Sequence, residues 1–513
     1  MPLSTAPETA RNVEDAASSH VRSHWEKVAL PLCTLVVLGF VIRELIARAA
    51  LLPQHLKLPF QVDYEEGNIL NTLVRITHGL TPYPNPHAIP NILNPYGPAA
   101  YYLLAIPVKL FGVSFFWPRL LILASFAAIG LLIALIIARR TKSKLTAVCF
   151  GALYAMLPMT QAWAAVLRVD FLALAFATAG LCVFTRTQEI DHRPSTIGYG
   201  ALFCSAVLFA ASLLVKHTYV AAPAACVLFL LTRREWRLAA RFVAIIAGIS
   251  IAVVAAFAIT THGAILTDLF RTHADPYSWD VYLTRLSAMV SICRVLAVLA
   301  AVCLINELRQ RKLSVAAWWL VLASVTTLTA GKLGSNWNHF LEWLAALSLC
   351  AALGWHNLTR VRPRLLAIGT TVAATVLLCM FVLGQREPLF DAYVGIQQCP
   401  QAYQFVAQSS GDHVLSENVG ALVLNRKTVW LSNPFVYGQL VMRGGWQDAG
   451  IERMLRNREF DLVVAHWNYP GIPAWQTDGS ERFSPAMLRA LVANYRVVAQ
   501  FECNDARYIF ERK

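Results

Sequence analysis

Apolar residues run along this chain in long blocks separated by short polar clusters, a pattern of helices stacked across a bilayer rather than of half-buried strands. The blocks fall at 28–51, 115–138, 145–166, 171–184, 197–215, 219–231, 239–260, 286–305, 315–330, 340–355 and 365–383. Several are shorter than the roughly 20 residues a straight span needs, so their ends extend into flanking residues, and the pattern predicts about eleven transmembrane helices. Residues 98–111 form one more apolar helix, but counting it as a span would reverse every later loop. It is therefore assigned to the outer surface, where Tyr101, Tyr102 and Lys109 suit the interface.

The pattern changes at both ends. Residues 1–26 mix Glu8, Arg11, Glu14, Asp15, Arg22 and Glu26 without apolar periodicity and read as a disordered cytoplasmic tail. Beyond 384 there is no long apolar run. Short β-rich stretches at 422–424, 428–431 and 462–465 alternate with helical patterns at 451–456 and 485–494, and 495–501 with 508–511 reads as a closing hairpin. The expected fold class is an all-α polytopic membrane domain over 27–384, with a long first outer loop at 53–114, followed by a small α/β domain over 385–513.

Composition agrees: 57% of the 513 residues are hydrophobic and 14% charged, against about 25% charged in soluble domains. The net charge of +14 is no sign of nucleic acid, because the basic residues form clusters between alternate blocks rather than one continuous face. These clusters are Arg139, Arg140, Lys142 and Lys144; Arg186 and Arg193; Arg233, Arg234, Arg237 and Arg241; Arg309, Arg311 and Lys312; and Arg360, Arg362 and Arg364. The positive-inside rule puts all five in the cytoplasm with the N-terminus, and the C-terminal domain outside. Cysteine usage fits that placement. Nine of the eleven lie in or beside apolar blocks, while Cys399 and Cys503 in the C-terminal domain either form one disulfide or are simply buried.

The outward loops carry the candidate chemistry. Asp63, Glu65 and Glu66 follow the first block, and carboxylates at a membrane boundary are expensive unless water, a cation or a reaction shares the place. Arg168 and Asp170 form one turn, and Lys216 another. A further loop runs Gly331-Lys332-Leu333-Gly334-Ser335-Asn336-Trp337-Asn338-His339, with Glu342 three residues on, so His339 and Glu342 would share a helix face. Tyr96 is one of several outer aromatics on which a sugar could stack. Each has a plainer reading: helix-end carboxylates, a structural Arg–Asp pair, a lysine reaching for the interface, a capped helix start, an interfacial ring. No ligand spacing declares a metal site, and a divalent cation is left open.

The order of Asp63-Tyr64-Glu65-Glu66-Gly67, Asn94-Pro95-Tyr96-Gly97-Pro98 with Tyr101-Tyr102, Phe116-Trp117-Pro118-Arg119-Leu120, Arg168-Val169-Asp170 and Leu214-Val215-Lys216 resembles the GT-C superfamily of membrane glycosyltransferases. Within it, the chain looks like the branch of the protein O-mannosyltransferases and lipid A aminoarabinose transferases. The resemblance covers roughly 28–383 and lies in order and sidedness rather than in one motif. It implies a bacterial inner-membrane enzyme that takes a sugar from polyprenyl phosphate and passes it to a lipid, glycan or protein acceptor outside. It places a catalytic carboxylate on Asp63 or its neighbours Glu65 and Glu66, and a second on Asp170. The chemistry also needs a cation beside the leaving phosphate, for which Lys216 and Arg168 are the candidates. Asn336, Tyr96, His339 and Glu342 are the candidate sugar or acceptor contacts. A lipid or solute transporter or flippase, or a ligase using a lipid diphosphate, remains the alternative.

Overall fold

The structure is a computed structural model and describes residues 28, 30–190, 199–273, 275–358, 364–385, 395–409, 411–444, 446, 450–469 and 482–513. The expected tail at 1–26, and Arg193, Arg360 and Arg362 of the basic clusters, lie outside those residues. Helices α1 (30–49) and α2 (Leu52–Lys57) make one apolar run over Leu30–Lys57. The first loop is built from α3 (Tyr64–Thr77) and α4 (Pro98–Phe111). The bundle continues with α5 (Phe116–Thr141), α6 (Lys144–Met156), α7 (Pro158–Ala164), α8 (Asp170–Ile190), α9 (Tyr199–Val215), α10 (Ala221–Thr232) and α11 (Trp236–Thr260). After α12 (Ala264–Phe270) come α13 (Trp279–Ile292), α14 (Arg294–Arg309), α15 (Val315–Thr326), α16 (Leu341–Leu358) and α17 (Arg364–Gly384).

Among the described residues three helices are long and apolar enough to cross a membrane, Leu30–Lys57, Phe116–Thr141 and Trp236–Thr260, and the number rises to five if two bent pairs each count as one span. The expected count of about eleven is thus met in part by composition, and the bends explain some of the difference. The block at 145–166 is two helices, α6 and α7, meeting at 65°, because Pro158 cannot donate the backbone hydrogen bond that would continue α6. The block at 286–305 breaks by 85° between α13 and α14. Arg294 stands at that break and is exposed, whereas a straight span would hold its charge within hydrocarbon. Serine side chains cap the starts of α6, α13 and α15: Ser143, Ser278 and Ser314 each accept from a backbone amide three residues on. At the centre, α16 is buried along most of its length and packs on α14, α15, α5 and α6.

The C-terminal region holds α18 (Cys399–Gln408), β1 (Val414–Ser416), α19 (Val419–Leu424), α20 (Pro434–Met442), α21 (Ile451–Arg456), β2 (Leu462–Ala465), α22 (Pro485–Asn494), β3 (Tyr495–Gln500) and β4 (Tyr508–Arg512). Its sheet order is β1-β2-β4-β3. β1 and β2 are parallel, with Val414 opposite Leu462, and the β3–β4 hairpin is antiparallel, as its alternation suggested. Two expected strands are not strands. Residues 422–424 belong to α19, whose start is fixed by the Asn418 side chain accepting from Ala421 N, and short apolar runs do not distinguish helix from strand. Residues 428–431 are a loop ending in a single parallel bridge, Leu431 to Asn91. Cys399 and Cys503 are bonded, joining the start of α18 to the β3–β4 turn.

This domain is seated on the first loop. Gln61 is the buried rivet: its Oε1 accepts from Gly420 N at 2.8 Å, its Nε2 donates to Asp505 at 3.2 Å, and its backbone N–H donates to the Tyr403 hydroxyl at 3.1 Å. The approach of α3 to α19 is so close that a Cβ on Gly67 would lie 2.4 Å from Gly420 N.

Candidate active site

A cavity of about 410 Å³ opens where the first loop, the helix ends and the C-terminal domain meet. Charged and polar side chains stand among apolar ones along its walls. Asp63, Tyr64, Glu65, Tyr96, Arg168, Lys216, Asn336 and His339 line it from the membrane domain, and Phe435, Val436, His466, Trp467 and Arg482 from the C-terminal domain.

Asp63 is the N-cap of α3. Its backbone is extended (φ −124°, ψ 144°), and its Oδ1 accepts from Glu65 N at 3.1 Å. Arg168 Nη1 donates to the same oxygen at 3.0 Å, which leaves Oδ2 without a hydrogen bond among the described residues. Burial raises the Asp63 carboxyl to about 6, against the pull of Arg168. A carboxylate so placed is a base near neutral pH.

Glu66 completes the capping box by reaching back to Val62 N at 2.7 Å and Asp63 N at 3.4 Å. It does not face the cavity, which corrects its assignment as a catalytic group. Its carboxylate is fully buried in a bidentate pair with Arg119, Oε1 from Nε at 2.7 Å and Oε2 from Nη2 at 2.6 Å. The remaining Arg119 hydrogens go to the His55, Leu58 and Phe60 carbonyls, and Glu66 Oε1 also accepts from Leu167 N at 2.6 Å. With both partners saturated, Glu66 fixes the backbone beside Arg168 rather than offering an acceptor to substrate. Glu65 lines the cavity, but it takes an amide hydrogen on each oxygen, from Asn433 at 2.9 Å and Asn68 at 3.3 Å.

Asp170 caps the other side. Its Oδ1 accepts from Lys216 Nζ at 2.7 Å and Asn338 Nδ2 at 2.9 Å, with Arg168 Nε 3.9 Å from Oδ2. It borders a much smaller chamber behind the main cavity, with Glu342. Glu342 accepts from Ala222 N and Trp319 Nε1, both at 3.0 Å, and lies beneath the site rather than in it. His339 and Glu342 both border that small chamber, the 3-10 turn Trp337–Phe340 running directly into α16 at Leu341, but only His339 of the two also lines the main cavity. His339 does face the cavity, 2.7 Å from Thr329 Oγ1, and burial together with the Lys216 charge holds it down to about 3.

Lys216 follows the last turn of α9, with its Nζ 5.7 Å from the centre of the Tyr96 ring. That meeting needs Gly97: its N–H donates to Val215 O at 3.1 Å, and a Cβ there would stand 2.0 Å from Leu214 O. Arg168 rests on Trp163, 5.4 Å from the ring centre. Arg168 and Lys216 thus share the cavity wall with Asp63, whose Oδ2 carries no hydrogen bond among the described residues. Among the described residues no three His, Cys, Asp or Glu side chains cluster as metal ligands. Asp63 and Asp170 are already bound to basic side chains, so the donor set does not suit a divalent cation, and no step is assigned to one.

No family model and no curated protein matches the sequence. Among solved structures, the chain is similar to ArnT from Cupriavidus metallidurans in the apo state, with TM-score 0.63 and 13% identity over 92% of this chain and 97% of that one. It is also similar to ArnT from the same organism bound to undecaprenyl phosphate, with TM-score 0.60 and 13% identity over 92% and 98% of the two chains. The chain shares the fold of these two structures over most of its length.

Within that shared fold, sequence reasoning missed the contribution of the C-terminal domain. His466 and Trp467 follow β2, Glu417 follows β1, and these two strands are parallel. The carboxyl ends of parallel strands are where α/β sheets place ligands, and that is the signal that could have found them. Glu417 accepts from His466 N, Tyr469 and Arg482 at 3.0, 2.7 and 3.2 Å. Arg482 also pairs with Asp505 at 2.5 Å and stacks 4.2 Å over the Tyr64 ring. Burial lowers His466 to about 4.

Proposed function

We propose that this protein transfers a sugar from a polyprenyl-phosphate donor to an acceptor at the outer face of a membrane. The observation that carries the reading is the cavity itself. One carboxylate, Asp63, keeps an open oxygen within the same wall as Arg168 and Lys216, in a fold shared with a protein that has been solved with undecaprenyl phosphate bound.

In this reading Asp63 Oδ2 takes the proton from an acceptor hydroxyl as its oxygen bonds to the anomeric carbon. The bond from that carbon to the phosphate oxygen breaks, its electron pair leaves with the polyprenyl phosphate, and Lys216 and Arg168 stabilise the growing charge. Attack opposite the leaving group inverts the anomeric centre without a covalent enzyme intermediate. Asp170 holds Lys216 in place, and Tyr96, Asn336 and His339 border the space for sugar and acceptor. The sidedness in this reading is supported by α5: Arg119 sits beside the site, while Arg139 and Arg140 lie about 30 Å further along the helix at 1.5 Å per residue, at an end the charge rule assigns to the cytoplasm.

The test is transfer from a labelled polyprenyl-phosphate sugar pool by membranes carrying wild type, Asp63→Asn or Lys216→Ala at matched abundance. Transfer by wild type that both variants lose is expected. A wild type that consumes no donor across several sugars and native acceptor extracts would sink the proposal.

A further inference from the structure

The strongest unassigned feature is the grip of the C-terminal domain on the first turn of α3. Residues 430–433 run beside 91–93: Asn91 N donates to Trp430 O at 2.8 Å, Ser432 N to Asn91 O at 3.0 Å, and Leu93 N to Ser432 Oγ at 2.9 Å. α3 joins the same seam through Asn68 Nδ2, 3.3 Å from Leu93 O. This pairing delivers Asn433 to the start of α3, where it does three things at once. Its Oδ1 caps α20 by accepting from Val436 N at 3.1 Å, the same oxygen accepts from the Tyr64 hydroxyl at 3.1 Å, and its Nδ2 donates to Glu65 Oε1 at 2.9 Å. Tyr64 is held a second time, by Phe435 N donating to its hydroxyl at 2.6 Å, and a third time by Arg482 over its ring.

The two carboxylates that this turn brings to the cavity, Asp63 and Glu65, differ in what this grip leaves them. Glu65 has an amide donor on each oxygen, while the Asp63 bonds all fall on Oδ1. We propose that Asn433 is a positioning residue that selects the base within the acidic turn: by engaging Glu65 and pinning Tyr64 between the two carboxylates, it leaves Asp63 rather than Glu65 free to accept the acceptor's proton. The inference rests on the transferase reading. It makes the C-terminal domain a working part of the reaction centre rather than a cover over it, since the residue that orders the acidic turn belongs to that domain while the base belongs to the first loop.

Asn433→Asp separates this role from folding, because the new carboxylate keeps the oxygen that caps α20 and accepts from Tyr64, but replaces the donor to Glu65 by a negative charge. In full-length protein the expected result is a fall in kcat of tenfold or more per folded molecule, a donor KM within twofold of wild type, and an acid limb of the pH–kcat profile moved upward by half a unit or more. Asp63 sets this limb, under the charges of Arg168, Glu66 and Glu65 that act on it. Asn433→Ser, which keeps a cap but no amide, should reproduce the loss of kcat, and serves alone if the aspartate variant does not accumulate. Wild-type kcat and acid limb in the folded variants, or losses confined to abundance, would overturn the inference and leave the transferase reading intact. A wild type without turnover would instead sink both.

Discussion

Below about pH 6 the Asp63 carboxyl holds its proton and cannot take another, so kcat should fall on the acid side with a midpoint near that value. His339 and His466 do not account for such a limb, since they are held near 3 and 4 and stay neutral there. A pH–rate profile of wild type checks this, and Asp63→Asn should lose roughly 10²- to 10⁴-fold in kcat at any pH, the range of a lost general base. Glu66→Gln predicts a different outcome. Breaking a buried, bidentate pair destabilises by about 3–5 kcal/mol, so the loss should appear first as a lower melting temperature in detergent. The sequence carried this difference in part: Asp63 followed by Glu66 three residues on is a capping-box spacing, which already gives the second carboxylate a backbone to hold. What it did not carry was Arg119, which lies 53 residues away and fully buried against Glu66.

Elements were legible where their pattern was local. The bounds of α4, the hairpin β3–β4 and helices α21 and α22 follow from apolar spacing and flanking turn residues. The bends at Leu157–Pro158 and Cys293–Arg294 were not drawn from the hydropathy blocks, because an average over a block does not register a break of one residue. The cavity depends on one such local contact, the start of α4 against the end of α9. Gly97→Val would force a side chain into the Leu214 carbonyl, an overpacking of about 1–3 kcal/mol. Because Lys216 follows directly, donor KM should rise as well as stability fall, which titration of donor against membranes carrying the variant would reveal.

At the scale of the whole molecule, the site is shared between two regions that the sequence treats as separate, a run of apolar helices and a polar C-terminal domain. A chain ending at residue 385 should insert in membranes yet show no transfer, because Asn433, His466, Trp467 and Arg482 go with the missing part. The disulfide bears on the same site, since Asp505, two residues beyond Cys503, bridges Arg482 and Gln61. It closes a loop of 104 residues, a crosslink worth about 2–5 kcal/mol. Cys503→Ser should lower the thermal midpoint of the C-terminal domain, read by limited proteolysis across a temperature series, and weaken transfer with it.

Gly67 and Gly420 meet backbone to backbone, where a methyl group on the first would strike the amide of the second, and one on the second would strike Phe115 and Tyr403. Neither position has room to vary alone. In any lineage that keeps this reaction, the pair should behave as a single inherited character: both stay small while the surfaces around them diverge, and a change at one survives only after its neighbours have withdrawn.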